Sequence, residues 1–387
     1  MGATLASFLQ WLHKGQRLDQ HLRRETNNFN LIRLAAAVMI ILSHCNAGLI
    51  GQLTDNTFGG RTTAMPVFFF LSGLLVAQSL DNSPSALSFL ARRARRLYPA
   101  AIFYVLIMAC IIGPFVSSYS TSAYFADPLF RQYLFTASLV QIHFLLPGVF
   151  SASPLGPVVN TSLWSIPMEI KLYLLLLLTS YLPRRRLTAF YLLLTATLVA
   201  VDLFAYAPVE EAIRHHGLPH FVLFPYTQLP ICFLIGVLCY RLRTRILVRN
   251  SWLFIICLGY IATNRYQIGF ILIPMTVLYF ATHGMRFLHR LTPRPDLSYG
   301  LYIWGFPVQQ LIILYGKPTN TTLFPLTLLL TIPIALLSWY IIEKPALRWK
   351  RRPTWPIQTQ KGRPDGQPIK NYIGPNRREN DYRRGND

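Results

Sequence analysis

Charge is scarce in this sequence, and acid scarcer still. Charged residues fill 13% of its 387 positions, where a soluble domain carries roughly a quarter. So few charges cannot clothe a water-facing surface of this size, which excludes an ordinary soluble protein. Only 15 residues are Asp or Glu, against 37 Lys or Arg. The cysteines are few as well: Cys45, Cys110, Cys232, Cys239 and Cys257. None stands at a metal-ligand spacing and all lie in apolar stretches. They read as small buried apolar residues, not disulfides or zinc ligands. No internal repeat stands out. No nucleic-acid-reading module accompanies the net charge of +22, so nucleic acid is not an expected partner. The opening "MGATLASFLQWLHKGQRLDQHLRR" is too mixed for a cleavable signal peptide. Its apolar residues fall at helical spacing, as in a helix lying on a membrane surface.

What the chain does have is long apolar runs. Hydrophobic residues make up 52% of it, mean hydropathy is +0.35, and runs such as "LYPAAIFYVLIMACIIGPFV" approach the roughly 20 residues that span a bilayer core. The fold expected is all-α, a polytopic membrane helix bundle of about ten transmembrane helices. The spans predicted are 30–50, 64–80, 97–117, 162–182, 187–205, 221–240, 250–264, 267–283, 297–315 and 322–342. An eleventh apolar stretch, Gln132 to Phe150, is decided by charge. If it does not cross, the basic clusters Arg92–Arg96, Arg184–Arg186, Arg241–Arg249 and Arg286–Arg294 all face the cytoplasm, with both termini. If it crosses, the later clusters flip outward. It is therefore expected to stay on the outer face. The domains expected are a cytoplasmic interfacial segment at 1–29, a transmembrane domain at 30–349, and a disordered basic cytoplasmic tail at 350–387.

Inside these runs the ionisable residues mark function, because each is costly in lipid. Arg33 and His44 are eleven positions apart in the first span. That is about 20° off three full turns and a rise of about 16 Å, so they share a face. Ser72 and Gly73 fall near the middle of the second span, either as a packing notch or as a polar element beside His44. Arg92, Arg93, Arg95 and Arg96 form a forked cluster before the third span, either a topology signal or a phosphate site. Glu169 lies about 10 Å from the outer end of its span, with Tyr173 four residues on. It reads either as a structural ion pair or as a partner of His44, Arg33 or Lys171. Glu343 closes the last helix in "IEKP", and local charge pairing is the expected role. His143, His283 and His289 read as loop or interface residues, with an outer vestibule open to His143.

Taken in order, Arg33-x10-His44, "FFFLSG" at Phe68–Gly73, "RARRLYP" ending at Pro99, "SLWSIPMEIKLY", "SYGLYIWGFP" and "IEKP" resemble the acyltransferase-3 family of integral membrane O-acyltransferases across about residues 30–350. Lys171 departs from the acidic or polar residue more common there. The resemblance implies transfer of an acyl group, usually acetyl from acetyl-CoA, to a sugar hydroxyl of a bacterial exopolysaccharide or O-antigen at the inner membrane. Some members add a carboxyl-terminal esterase-like domain; the tail here is too short to be one, so a stand-alone transferase is expected, and with no ligand cluster in the sequence no metal is expected. His44 becomes general base or acyl relay, with Glu169 and Arg33 beside it. Arg93 and Arg96, helped by Arg92 and Arg95, would hold CoA phosphates. Ser72, Trp164, Tyr173 and Tyr299 would contact substrate. Membrane lipids, the glycan acceptor and polysaccharide-biosynthesis proteins are the partners implied. The rival readings are an exporter of a glycan or lipid precursor, since midplane charges also line transport paths, and transfer of another acyl group such as succinyl.

Overall fold

The computed structural model describes residues 7, 10–22, 27–50, 63–204, 224–262, 265–283, 295–319 and 321–349. The expected tail at 350–387, the loop at 206–220, the basic cluster Arg286–Arg294 and His289 lie outside them. Among the described residues the chain is built of helices: α1 (Phe29–Ile50), α2 (Met65–Asp81), α3 (Ala86–Val116), α4 (Thr121–Ala126), α5 (Pro128–Phe135), α6 (Ile166–Thr179), α7 (Arg184–Phe204), α8 (Phe224–Arg241), α9 (Ser251–Ala262), α10 (Arg265–His283), α11 (Ser298–Gly316) and α12 (Leu323–Arg348). A 3-10 turn, Thr161–Ser165, leads into α6. Four helical runs are long and apolar enough to cross a membrane: Ala86–Val116, Thr161–Thr179, Arg184–Phe204 and Leu323–Arg348. Shorter apolar helices accompany them at Phe29–Cys45, Met65–Asp81, Thr227–Arg241, Ser251–Tyr260 and Ile271–His283.

Three expectations need correction. The amino-terminal segment is not one interfacial helix. Gly15–Arg17 forms a strand, β1, paired antiparallel with β2 (Leu247–Arg249), and a 3-10 turn follows at Leu18–His21. Pairing with 247–249 satisfies this backbone without a helix, and Leu18 and Leu22 are covered by protein, not lipid. This ribbon is the exception to the all-α expectation. Second, the third span does not begin at Leu97, after the arginine cluster. Ser85 caps α3 by accepting a bond from Ser88 N at 3.1 Å, so the helix begins eleven residues before Leu97 and carries all four arginines. Third, Cys110 and Cys257 are exposed, whereas Cys45 and Cys232 are buried.

The ambiguous stretch Gln132–Phe150 is helical only through Ser138, then runs irregularly to Asn160. Leu139 and Phe150 have φ of 55° and 56°. Irregular backbone cannot span lipid on its own, because its polar groups would lack partners.

Two packing features place the site. Helices α2 and α8 meet at reciprocal glycines: a Cβ on Gly73 would strike the Phe233 carbonyl, and one on Gly236 the Phe70 carbonyl. Helix α11 is buried along almost its whole length, between α1 and α12. Its Tyr299, Tyr302, Gln309 and Gln310 thus face protein, where hydrogen bonds can satisfy them.

Candidate active site

Three polar clusters lie along the helices that the sequence marks. The first surrounds His44 on α1. Its Nε2 lies 3.5 Å from Ser162 Oγ, and its ring meets Phe306 of α11 edge-on at 5.2 Å. Ser162 belongs to the 3-10 turn before α6 and is itself fixed. Its N–H donates to Asn160 Oδ1 at 2.9 Å, and its carbonyl accepts from the Tyr302 hydroxyl. Asn160 Nδ2 donates to the Ile303 carbonyl at 2.8 Å, and Ser165 Oγ meets Tyr302 OH at 2.8 Å. The turn is therefore clamped to α11, and the clamp presents a hydroxyl to the imidazole.

The second cluster is Ser72, Glu169 and Tyr173. Ser72 Oγ donates to Glu169 Oε1 at 2.5 Å, and the Tyr173 hydroxyl donates to the same oxygen. Ser72 and Tyr173 are 3.0 Å apart. Gly73 is the packing notch for α8, and Ser72 is polar in role as well, but its hydrogen-bond partners are Glu169 and Tyr173 rather than His44. Among its expected partners, neither His44, Arg33 nor Lys171 supplies the hydrogen bonds described for Glu169. Lys171 is exposed.

The third cluster sits at the other end of α1. Arg33 pairs with Asp296 at 3.2 Å, and Arg96 pairs with Asp296 at 2.7 Å and Glu343 at 3.5 Å. Two guanidinium groups balance two carboxylates. Burial alone would push the Asp296 carboxyl up, but Arg33, Arg96 and the Ser298 hydroxyl at 2.5 Å hold it well below the usual carboxylate range. Arg96 also lies over the Tyr299 ring at 5.7 Å, and Tyr299 OH donates to the Leu97 carbonyl at 2.8 Å. Glu343 is thus paired across 247 residues, not locally as expected. A π-helical turn at Trp339–Glu343 shifts the helical phase and buries it.

Arg93 bridges the second and third clusters. Its charge interacts with Tyr173, Arg96, Glu169 and Arg33. One terminal nitrogen donates to Ser79 Oγ at 3.2 Å, while its Nε is buried without a hydrogen-bond partner. Arg92 donates to the Ser79 carbonyl at 3.2 Å, and Arg95 to the Ala91 carbonyl at 3.0 Å. Trp164 is partly buried against the main core. His143 lies in the irregular segment between α5 and α6, its ring against Phe135. His283 stacks on Tyr279 at 4.8 Å.

Sequence reasoning missed Asn160, Ser162, Tyr302 and Asp296. A signal existed for Asp296: between Glu211 and the end of α12, the acids are Asp296 and Glu343. None existed for Ser162, one hydroxyl in a hydroxyl-rich turn.

An imidazole set against a hydroxyl, in apolar surroundings, can exchange a proton with an alcohol. Comparison with known proteins agrees with such chemistry. The acyltransferase-domain family profile matches residues 26–343. The chain is 27% identical over 350 residues to an "O-acetyl transferase" of Shigella phage Sf6, covering 83% of this chain and 96% of that protein. It is 25% identical over 363 residues to "Nodulation protein 10" of Rhizobium leguminosarum bv. viciae, covering 85% and 95%. No solved structure matches it. A family match of this extent makes the chain an acyltransferase, a membrane protein that belongs to the acyltransferase-3 family.

Proposed function

We propose that the chain transfers acetyl from acetyl-CoA to a hydroxyl of a glycan at the bacterial inner membrane, with His44 as general base. The observation that carries this is the facing of His44 Nε2 by the Ser162 hydroxyl at 3.5 Å. An acceptor alcohol needs that same contact to lose its proton. The printed name of the phage relative supports acetyl as the group moved.

In this reading His44 takes the acceptor proton as the alcohol oxygen attacks the thioester carbonyl. The carbon–sulfur bond breaks, and the imidazolium returns the proton to the departing thiolate. Positioned proton transfer of this kind contributes about 10² to 10⁴ in rate. Ser162 is a positioning residue: it orients the ring and leaves with the acceptor the contact it now makes. Base action fits this geometry better than an acyl-imidazole relay, because the nitrogen already meets a hydroxyl. Glu169 acts through Ser72 and Tyr173, which line the approach.

The donor supplies the activated acyl group. Of the four arginines, Arg93 suits its phosphates best, because a buried guanidinium Nε without a partner still has a bond to give. Arg92 and Arg95 add charge nearby. Arg96 is already committed to Asp296 and Glu343. It holds helices together and sets the field, rather than gripping phosphate. Ten crossings with both termini in the cytoplasm keep this arginine end of α3 on the side where acetyl-CoA resides.

The test is turnover of radiolabelled acetyl-CoA by purified protein with bacterial glycan acceptors. His44→Ala is expected to insert and accumulate normally but lose acetyl transfer. Near-wild-type turnover by that variant would overturn the reading.

A further inference from the structure

A cavity lies apart from the residues of the site just described. It has a volume of about 350 Å³ and sits where five helix ends meet. Helices α2, α6 and α8 finish there, and α3 and α7 begin. One wall is apolar, with Leu176, Leu177, Leu187 and Val237. The mouth carries Asp81, Arg184, Tyr240 and Arg241. The outer flank is greasy: Tyr181 and Leu178 are exposed beside it, and α7 buries only 22% of its apolar window. In a membrane protein such a flank faces lipid.

Helix ends mark the boundary between lipid and water. A pocket there that is apolar within and charged at its mouth fits an amphiphile. The signs of the charges narrow the choice. Arg241 is held in place, its Nε donating to Thr188 Oγ1 at 2.9 Å and a terminal nitrogen to the Arg184 carbonyl at 2.7 Å. Among the described residues neither Arg184 nor Arg241 has a carboxylate within ion-pair distance, so both forks have donors left for a phosphate. Asp81 lies near Tyr240 and is the one carboxylate lining the cavity. It stands among the carboxyl ends of three helices, where partial negative charge favours a cation. Two phosphate-binding cations and one ammonium-binding carboxylate lining the same cavity describe a single molecule.

We propose that this cavity binds the headgroup of an aminophospholipid of the phosphatidylethanolamine type. Its phosphate lies against Arg184 and Arg241, its ammonium against Asp81, and the start of its acyl chains along Leu176, Leu177 and Leu187. None of these residues belongs to the acyl-transfer site, so the proposal stands or falls apart from that reading.

The experiment is native mass spectrometry of the full chain in detergent, with phosphatidylethanolamine or phosphatidylglycerol added in turn. The protein is expected to retain phosphatidylethanolamine in preference to phosphatidylglycerol. Arg184→Gln and Asp81→Asn should each weaken retention about tenfold, the scale of one charge-assisted bond. Leu177→Trp, which fills the cavity, should abolish it. Melting temperatures measured in lipid-free detergent identify variants that remain folded. Equal retention of the two lipids overturns the proposal, as does undiminished binding by folded Arg184→Gln and Asp81→Asn proteins. Displacement of the lipid by CoA would also overturn it, making the cavity part of the donor site.

Discussion

Asp296 ties the Arg33 end of α1 to α3 through one shared carboxylate, and replacing it by Asn tests that directly. The carboxylate is shared by Arg33 at 3.2 Å and Arg96 at 2.7 Å. Its side chain is 10% exposed and that of Arg96 14%. Asn keeps the volume and part of the hydrogen bonding but removes the charge. Arg33, Arg96 and Glu343 then leave one cation uncompensated in a buried cluster. Breaking a buried pair by losing one partner costs about 3–5 kcal/mol. Here Arg33 retains some solvent, so the lower end is expected, about 3 kcal/mol. The assay is thermal unfolding in detergent, with a double-mutant cycle. Asp296→Asn combined with Arg33→Gln restores neutrality, and its loss should be clearly smaller than the sum of the single losses. The depressed carboxyl also fixes the pH dependence. Asp296 ionises more readily in the folded chain than in the unfolded one. Its contribution is therefore complete above about pH 5 and fades only as pH falls through the ordinary carboxylate value, about 3.9, toward its folded one. Stability between pH 6 and 8 owes no slope to this group. An Asn variant within about 0.5 kcal/mol of wild type, or strictly additive losses, would refute the reasoning.

Other outcomes follow from the same geometry. Ser162→Ala should lower turnover about tenfold and shift the pH–rate profile, because the ring loses the group that orients it; an unmoved profile at wild-type turnover would remove it from the site. Arg93→Ala should raise the KM for acetyl-CoA and weaken CoA binding in calorimetry, with membrane orientation kept by the remaining cations. Glu169→Gln should cut turnover per folded molecule, since Ser72 and Tyr173 both donate to its Oε1; a lower melting temperature with normal turnover would make it purely structural. Gly73→Ala should cost about 1–3 kcal/mol by forcing α2 from α8, and conservation of the wild-type melting temperature would contradict that close approach.

Much of the helical layout was legible in the residues alone. Apolar runs of bilayer length are a local signal, and the helices found at 65–81, 184–204, 251–262, 265–283 and 298–316 begin and end within a few residues of the runs that foretold them. The motif order, local in the same sense, pointed to acyl transfer. What local pattern could not carry was pairing between distant positions. Nothing in "RPDLSYG" says that Asp296 will meet arginines 200 and 263 residues earlier in the chain. Nor does "IIEKP" reveal a π-helical turn that rolls Glu343 inward to Arg96. Glu169 illustrates the limit most clearly. Its cost in an apolar helix announced that it must have partners, yet several groups were chemically able to serve. Tyr173, one turn on in the same helix, was within reach of sequence, but only the packing of α2 against α6 gave Glu169 its Ser72, while the turn before α6 placed Ser162 against His44. Hydrophobic periodicity is set by each segment's own residues, so it can be read from them. Which polar groups meet depends on how helices far apart in sequence rotate against one another, and that is decided only when they pack.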